Sequence, residues 1–286
     1  MKNLEIIYED NDIILCHKPA GVATQTKRLG QQDMESLLKN YRAKKGEPPY
    51  IGIVHRLDQP VEGIMVFAKN QKAAAFLSKQ IQEKIIGKYY YAVSACKPEK
   101  ESGVLEHYLI TDKKTNFTQV VEEIKETENS SDKRDSKKQN KDTNLETSSL
   151  NSTHKKEMIY GKTSTKAQEH LVNDKRFAKL EYRVVQTTEE KTVFDIKLHT
   201  GRQHQIRVQM AYIGCPLIGD EKYGVNLQVL ENQSTDEGML SNRNNLHGKN
   251  NLALCSYRLQ FQHPTTKKQM DFSILPKGKI FQMFIK

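Results

Sequence analysis

The sequence predicts an α+β fold, with a mixed, largely antiparallel sheet and helices beside it. Two observations carry that expectation. Strand-like and helix-like segments mix along the chain without the regular alternation of a doubly wound parallel sheet. Residues 192–200 alternate cleanly, with Phe194, Ile196 and Leu198 on one face and Val193, Asp195, Lys197 and His199 on the other, as a half-buried strand does.

Taken in order, Ile6-Ile7-Tyr8 and Ile13-Ile14-Leu15-Cys16 read as two short strands around the polar turn Glu9-Asp10-Asn11-Asp12, followed by the breaker His17-Lys18-Pro19-Ala20-Gly21. Met34, Leu37, Leu38 and Tyr41 recur at helical spacing, so a helix is predicted over 33–44, with Asp33 as N-cap and Gly46, Pro48 and Pro49 ending it. A strand over 64–68 precedes an alanine-rich helix over 71–84. Gly87 then opens the aromatic strand Lys88-Tyr89-Tyr90-Tyr91-Ala92-Val93, whose Tyr89 and Tyr91 point away from Tyr90. Residues 121–165 are rich in Lys, Glu, Asn, Ser, Asp and Thr, too polar to offset chain entropy by burial, and are expected to form a flexible insertion. The other reading keeps a short strand at Met158-Ile159-Tyr160. Regular structure resumes by Leu180. After the 192–200 strand, Ile206, Met210 and Ile213 form the core stripe of a helix closed by Gly214, with His204, Arg207 and Ala211 on a neighbouring face. A polar loop over 228–251 precedes a last strand pair at 252–254 and 269–274. The whole is expected to be one catalytic domain, residues 1–286, interrupted by these two polar stretches.

At 286 residues the chain can bury a core without disulfide staples. Forty-five Lys and Arg against thirty-five Asp and Glu leave a formal +10, which points to a polyanionic partner, nucleic acid first, or else to a merely solvated basic surface. Cys16, Cys96, Cys215 and Cys255 are far apart with no C-x-x-C pair, which argues against a zinc ribbon or a secreted disulfide framework. The N-terminus lacks the apolar region of a signal peptide, and no apolar stretch approaches the roughly 18 residues of a membrane span, so a cytoplasmic protein with no membrane partner is expected. No long apolar surface stripe is evident, and a monomer is expected.

Two clusters carry the chemistry. The stretch His55-Arg56-Leu57-Asp58-Gln59-Pro60-Val61-Glu62-Gly63 places a carboxylate beside basic residues and a glycine that opens an apolar run. Far downstream, His199-Thr200-Gly201-Arg202-Gln203-His204-Gln205-Ile206-Arg207 crowds cations and hydrogen-bonding groups onto one turn, and the two clusters are expected to share a site. A lone Asp is by default a turn or cap carboxylate, and the surrounding motif weighs against that for Asp58.

These motifs resemble the RluA family of RNA pseudouridine synthases over most of the chain outside the polar stretches. The matching residues are Tyr8-Glu9-Asp10 with Lys18-Pro19-Ala20-Gly21; His55-Arg56-Leu57-Asp58 with Gly63 and Phe67-Ala68-Lys69; Lys88 with Tyr90 and Ala92; Thr200-Gly201-Arg202 with His204-Gln205-Ile206-Arg207; Gly219-Asp220 with Tyr223-Gly224; and Leu252-Ala253-Leu254 with His263-Pro264. The resemblance implies the pseudouridine synthase fold, a basic cleft, no cofactor, no metal, and isomerisation of uridine in structured rRNA or tRNA. It implies Asp58 as nucleophile on a flipped-out uridine, paired with Arg207, and Tyr90 as the tyrosine whose ring stacks on the base, the other reading being a purely structural Tyr90 on a strand with one buried face. Arg56 fills the gap left by the flipped base, or else contacts a phosphate. Arg202 and His204 hold a phosphate at the strand-to-helix turn, or only brace the loop. RNA contacts are also expected of His55 and of at least one of Lys18 and Lys69, the other reading of the lysines being solvated side chains. The chain departs from the family in carrying Val61-Glu62 where Thr-Ser is common, which leaves the hydrogen bonding of that loop open. It begins directly at the catalytic fold, so no S4-like RNA-binding domain is expected.

Two other classes compete. A catalytically silent RNA-binding or RNA-chaperone protein would have no chemical reason to keep Asp58, Tyr90 and Arg207 together. A metal-dependent nuclease needs clustered carboxylates, and the Asp58 motif brings only Glu62 nearby.

Overall fold

The computed structural model describes residues 4–28, 30–121, 174–224 and 252–284. The expected insertion over 121–165, apart from Val121, the Met158-Ile159-Tyr160 strand and the loop over 228–251 lie outside the described residues. The contacts divide the chain into Met1–Val121 with Lys175–Lys286, which holds every element below, and Glu122–Asp174, of which only Asp174 is described. No helix among the described residues is long and apolar enough to cross a membrane.

The two opening apolar runs become antiparallel strands β1 (Glu5–Glu9) and β2 (Ile13–Lys18). Asp10 shapes the turn between them, its Oδ1 accepting the backbone N–H groups of Asp12 and Ile13 at 2.8 and 2.9 Å. β2 continues through His17 and Lys18, which the sequence reads as part of a breaker, because both side chains find polar partners indoors. β3 (Gly52–Ile53) and β4 (Glu62–Ala68) follow, and every residue of β4 is buried. Its Met65 and Phe67 enter one core cluster, while Ile64, Val66 and Ala68 enter another on the opposite face. A strand buried on both faces reads as a continuous apolar run, as this one does.

Helix α1 (Met34–Lys44) starts at Asp33, whose carboxylate accepts from the Ser36 N–H at 2.8 Å while Ser36 Oγ accepts from the Asp33 N–H at 3.1 Å. Helix α2 (Gln71–Gln82) is capped by Asn70. β5 (Gly87–Ser94), β6 (Ser102–Asp112), β7 (Phe117–Val121), β8 (Arg176–Thr187), β9 (Thr192–Leu198), helix α3 (Gln205–Tyr212), β10 (Leu254–Gln262), β11 (Gln269–Ser273) and a short helix α4 (Lys279–Gln282) complete the described structure. β6 and β7 escape the sequence reading because their apolar residues keep no clean alternation, with Val104 exposed while Leu109 and Ile110 are both buried.

The strands form one mixed sheet in the order β1-β2-β4-β10-β5-β9-β8-β6-β7, with β11 on β10 and β3 on β4. Every pairing is antiparallel except β4 with β10, which are parallel through Cys255 opposite Glu62 and Ser256 opposite Gly63. Gly63 is required there. Its φ is +142°, and a Cβ would lie 2.5 Å from the Ser256 carbonyl oxygen.

Sequence-distant ends are fastened together by His263. Its Nδ1 accepts the N–H groups of Thr265 and Thr266 at 3.2 and 3.0 Å, so Nε2 carries the proton and donates to Asp10 Oδ2 at 2.8 Å. Asp10, Asp12 and His263 lie close enough to hold an ion, but hydrogen bonds already engage every ligand atom, including Asp12 Oδ1 with Asn70 and Oδ2 with Thr265. The group is a clasp.

Gly63→Ala is expected to lower the unfolding free energy by about 3 kcal/mol or more, since the added carbon meets backbone; urea denaturation measures it. Burial works against the charge of Asp10, but the hydrogen bonds from Ile13, Asp12, Tyr8 and His263 outweigh it and hold its carboxyl below the usual value. A lowered carboxyl contributes stability that is complete above its unfolded value and is lost as pH falls through its folded value. The stability gap between wild type and Asp10→Asn should therefore narrow as urea midpoints are taken through the acid carboxylate range.

Candidate active site

Asp58 stands on the connection from β3 to β4, and both its chain neighbours are tied down. Leu57 is buried in the core, and its backbone is bonded at both ends by Thr24 Oγ1, which accepts from the Leu57 N–H at 3.2 Å and donates to its carbonyl at 3.0 Å. The Gln59 carbonyl accepts from the Gly21 N–H at 2.8 Å and from Lys18 Nζ at 3.1 Å. Lys18 also donates to the carbonyls of Val22 and Pro19 at 2.6 and 3.2 Å, and its side chain is 0% exposed. The Lys18-Pro19-Ala20-Gly21 segment is thus the seat of the Asp58 loop. The Asp58 side chain itself is 31% exposed.

Helix α3 brings Arg207 to this loop. Its guanidinium donates through Nε and Nη2 to the two oxygens of Asp220, each at 2.8 Å, while Nη1 lies 3.4 Å from Asp58 Oδ2. Asp220 is fully buried, and its Oδ1 also accepts the backbone N–H groups of Lys222 and Tyr223, both at 3.0 Å. Burial opposes the Arg207 charge, but Asp220 more than restores it and holds the group above its ordinary value. The Tyr223 ring lies under the guanidinium at 5.1 Å. His204, at the start of α3, places Nε2 3.8 Å from the same Asp58 Oδ2, and its Nδ1 meets the Tyr223 hydroxyl at 2.7 Å. Among the described residues, Asp58 Oδ1 has no partner.

Tyr90, on β5, is buried, whereas Tyr89 and Tyr91 turn to the other face against Tyr257. Burial pushes the Tyr90 hydroxyl well above its ordinary value and the Asp58 charge adds to this, against a hydrogen bond with Ser256, so the phenol keeps its proton. Ser256 sits opposite both Tyr90 and Gly63, which links the one parallel pairing to the site.

The structure separates the other sequence-predicted residues. Arg56, two residues before Asp58, is exposed and its guanidinium is unpaired among the described residues. Arg202 is exposed, with Nε donating to the Phe177 carbonyl at 2.9 Å and its backbone N–H to Gln205 Oε1 at 3.0 Å. Three residues expected to contact RNA have inward-facing partners instead. His55 Nε2 accepts the Val66 N–H at 3.2 Å, and burial, with Lys88 adding to it, takes its imidazole down to about 3, so it is a neutral brace of the loop. Lys18 spends its donors on the carbonyls above. Lys69 is buried between Glu9 and Glu47, at 2.7 and 3.1 Å. Each is an indoor cation or acceptor whose charge the sequence count cannot distinguish from a surface one.

Glu62, the departure from the family pattern, is buried and accepts the Gly278 N–H at 2.8 Å and the Lys277 N–H at 3.3 Å, so it anchors the C-terminal segment rather than bonding within the loop. α3 also differs from its predicted single stripe: Gln205, Arg207, Val208 and Gln209 are buried beside Ile206 and Met210. Gln205 accepts from Thr200 Oγ1 at 2.8 Å and donates to the Lys179 carbonyl at 3.1 Å, while Gln209 donates to the Leu105 carbonyl at 3.1 Å. Asp220 and Tyr223 were not singled out as site residues by sequence reasoning, although Gly219-Asp220 with Tyr223-Gly224 is one of the matched blocks.

The profile of a family described as RNA pseudouridylate synthase matches residues 12–212. An uncharacterized RNA pseudouridine synthase of Aquifex aeolicus is 30% identical over 95% of this chain and 69% of its own length. The ribosomal large subunit pseudouridine synthase D of Vibrio cholerae is 28% identical over 94% of this chain and 66% of its own. The dual-specificity RNA pseudouridine synthase RluA of Vibrio vulnificus is 31% identical over 77% of this chain and 68% of its own. The chain thus spans about two thirds of the length of these relatives. In fold, it is similar to the solved structure of human RNA pseudouridylate synthase domain containing 4, with a TM-score of 0.64 at 20% identity, covering 98% of this chain and 92% of that one. The chain belongs to the RNA pseudouridine synthase family of RluA type, isomerases that convert uridine to pseudouridine in RNA.

Proposed function

We propose that the chain isomerises specific uridines in rRNA or tRNA, with Asp58 as the nucleophile on a uridine flipped out of its stack. The observation that carries this reading is the arrangement of the Asp58 carboxylate: one oxygen faces Arg207 and His204, the other has no partner among the described residues, and the Asp58 charge reaches the hydroxyl of buried Tyr90. The reaction breaks the N1–C1′ bond, forms C5–C1′, removes the C5 proton and returns one to N1, so no atom is gained or lost. It needs no cofactor. A stacked base must leave the helix for Asp58 to reach it, and exposed Arg56 beside the nucleophile suits the vacated space. The Tyr90 ring supplies a flat apolar surface for the uracil, and Arg202 lies on the exposed turn where RNA phosphates would pass. The ribosomal target in one relative's name and the dual specificity in another's support rRNA or tRNA as substrate. The proposed setting is the cytoplasm, with the chain acting as a monomer.

Pseudouridine mapping of total RNA from cells lacking the gene, complemented by wild type or by Asp58→Ala, tests the reading. A position that disappears and returns only with wild type is the expected result; in vitro, Asp58→Ala should cost at least about a thousandfold in turnover. Persistence of every pseudouridine would instead favour the silent RNA-binding protein. Lys18→Met should lower stability by about 3 kcal/mol, because it strands buried carbonyls, and slow turnover while RNA affinity measured by filter binding stays within about threefold. A selective loss of affinity would return Lys18 to the RNA surface.

A further inference from the structure

His204 combines three features that the nucleophile reading leaves unused. Its backbone is left-handed, with φ +51°, at the first position before α3, and its side chain makes no cap there. A non-glycine residue in that conformation costs roughly 1 kcal/mol or more and persists only where its surroundings hold it. The ring is clamped between Tyr223 and Asp58, with the Tyr223 ring edge-on at 5.6 Å.

The hydrogen bonds around the ring bear on its tautomer. The Tyr223 oxygen accepts the Thr118 backbone N–H at 3.0 Å, and Thr118 Oγ1 is engaged with Thr111 Oγ1 at 2.9 Å. Given to His204 Nδ1, at 2.7 Å, the phenolic proton satisfies both partners. That leaves the ring proton on Nε2, the nitrogen 3.8 Å from Asp58 Oδ2. The opposite tautomer would turn a lone pair on the carboxylate. Burial disfavours the imidazolium, Asp58 and Asp220 favour it, and Arg207 and Lys222 oppose it; the balance lies below the usual histidine value, so the ring is neutral at neutral pH. Lys222 itself reaches away, donating to the carbonyls of Thr115 and Asn116.

We propose that His204 is a positioning residue for Asp58: an imidazole, its proton placed on Nε2 by the Tyr223 hydroxyl, which together with Arg207 holds Oδ2 and leaves Oδ1 as the reacting oxygen. The proposal rests on the reading of Asp58 as nucleophile. A separation of 3.8 Å in the free protein closes to a hydrogen bond when RNA fills the site, as such contacts commonly tighten in the substrate complex. Arg207 brings one nitrogen to Oδ2, at 3.4 Å, its other two being committed to Asp220.

The test joins a spectrum to a rate. In the full chain labelled with ¹⁵N-histidine, with His204 assigned by its loss in His204→Gln, Nε2 should carry the proton and Nδ1 should not at neutral pH; Tyr223→Phe should mix the tautomers. In single-turnover reactions at saturating RNA, His204→Leu should react about a hundredfold more slowly than wild type with RNA affinity within about threefold, and His204→Gln, whose amide N–H reaches a similar point, should recover about tenfold of that loss. An Nδ1–H tautomer or a doubly protonated ring in an active enzyme overturns the positioning role alone. So does a His204→Leu variant that reacts at the wild-type rate once saturated, which would mark His204 as an RNA contact. A wild-type chain that converts no uridine in any RNA overturns the synthase reading, and the positioning role with it.

Discussion

A guanidinium taken out of water has to be neutralised, and the solution adopted for Arg207 organises the rest of the site. Asp220 accepts two of its donors at close range and is buried more completely than the arginine. With that charge balanced, the third nitrogen approaches Asp58 at 3.4 Å without being consumed by it. An arginine paired to Asp58 alone would bind both carboxylate oxygens in a fork, the geometry that guanidinium and carboxylate prefer. The reacting group would then be blocked. Sharing the cation between two acids is therefore what keeps one oxygen of Asp58 open.

The same need for balanced charge runs through the interior. Lys18 and Lys69 add to the formal +10, yet the first is surrounded by backbone carbonyls and the second by Glu9 and Glu47. Such cations define where loops sit, whereas Arg56 and Arg202 stay exposed to a polyanion. A net charge speaks about partners only after the indoor residues have been subtracted from it.

Much of the fold was legible because its elements carry periodic or capping signals. The 192–200 alternation, the Asp33 cap and the apolar run after Gly63 all correspond to elements in the structure. β6 and β7 were not legible, since their burial comes from neighbours that only the tertiary fold supplies. Within the site, Asp58, Tyr90 and Arg207 were reached through motifs, while Asp220 meets Arg207 across 13 residues and Tyr223 meets His204 across 19, contacts that their spacing does not announce. The inward partners of the lysines were not legible for a related reason: burial of a charge is decided by distant acceptors, and a sequence window does not contain them.

The position of β10 bears on how the chain reaches this state during synthesis. β10 begins at Leu254 and lies between β4 and β5, in the middle of the sheet. Until the ribosome has released that segment, β4 and β5 present raw strand edges, and Tyr90 and Gly63 lack the Ser256 backbone against which both are packed. The strand that fills the central place between β4 and β5 is made only after both of them. Exposed edges of this kind invite pairing with other chains, so the order in which the strands are made bears on the risk of misassembly.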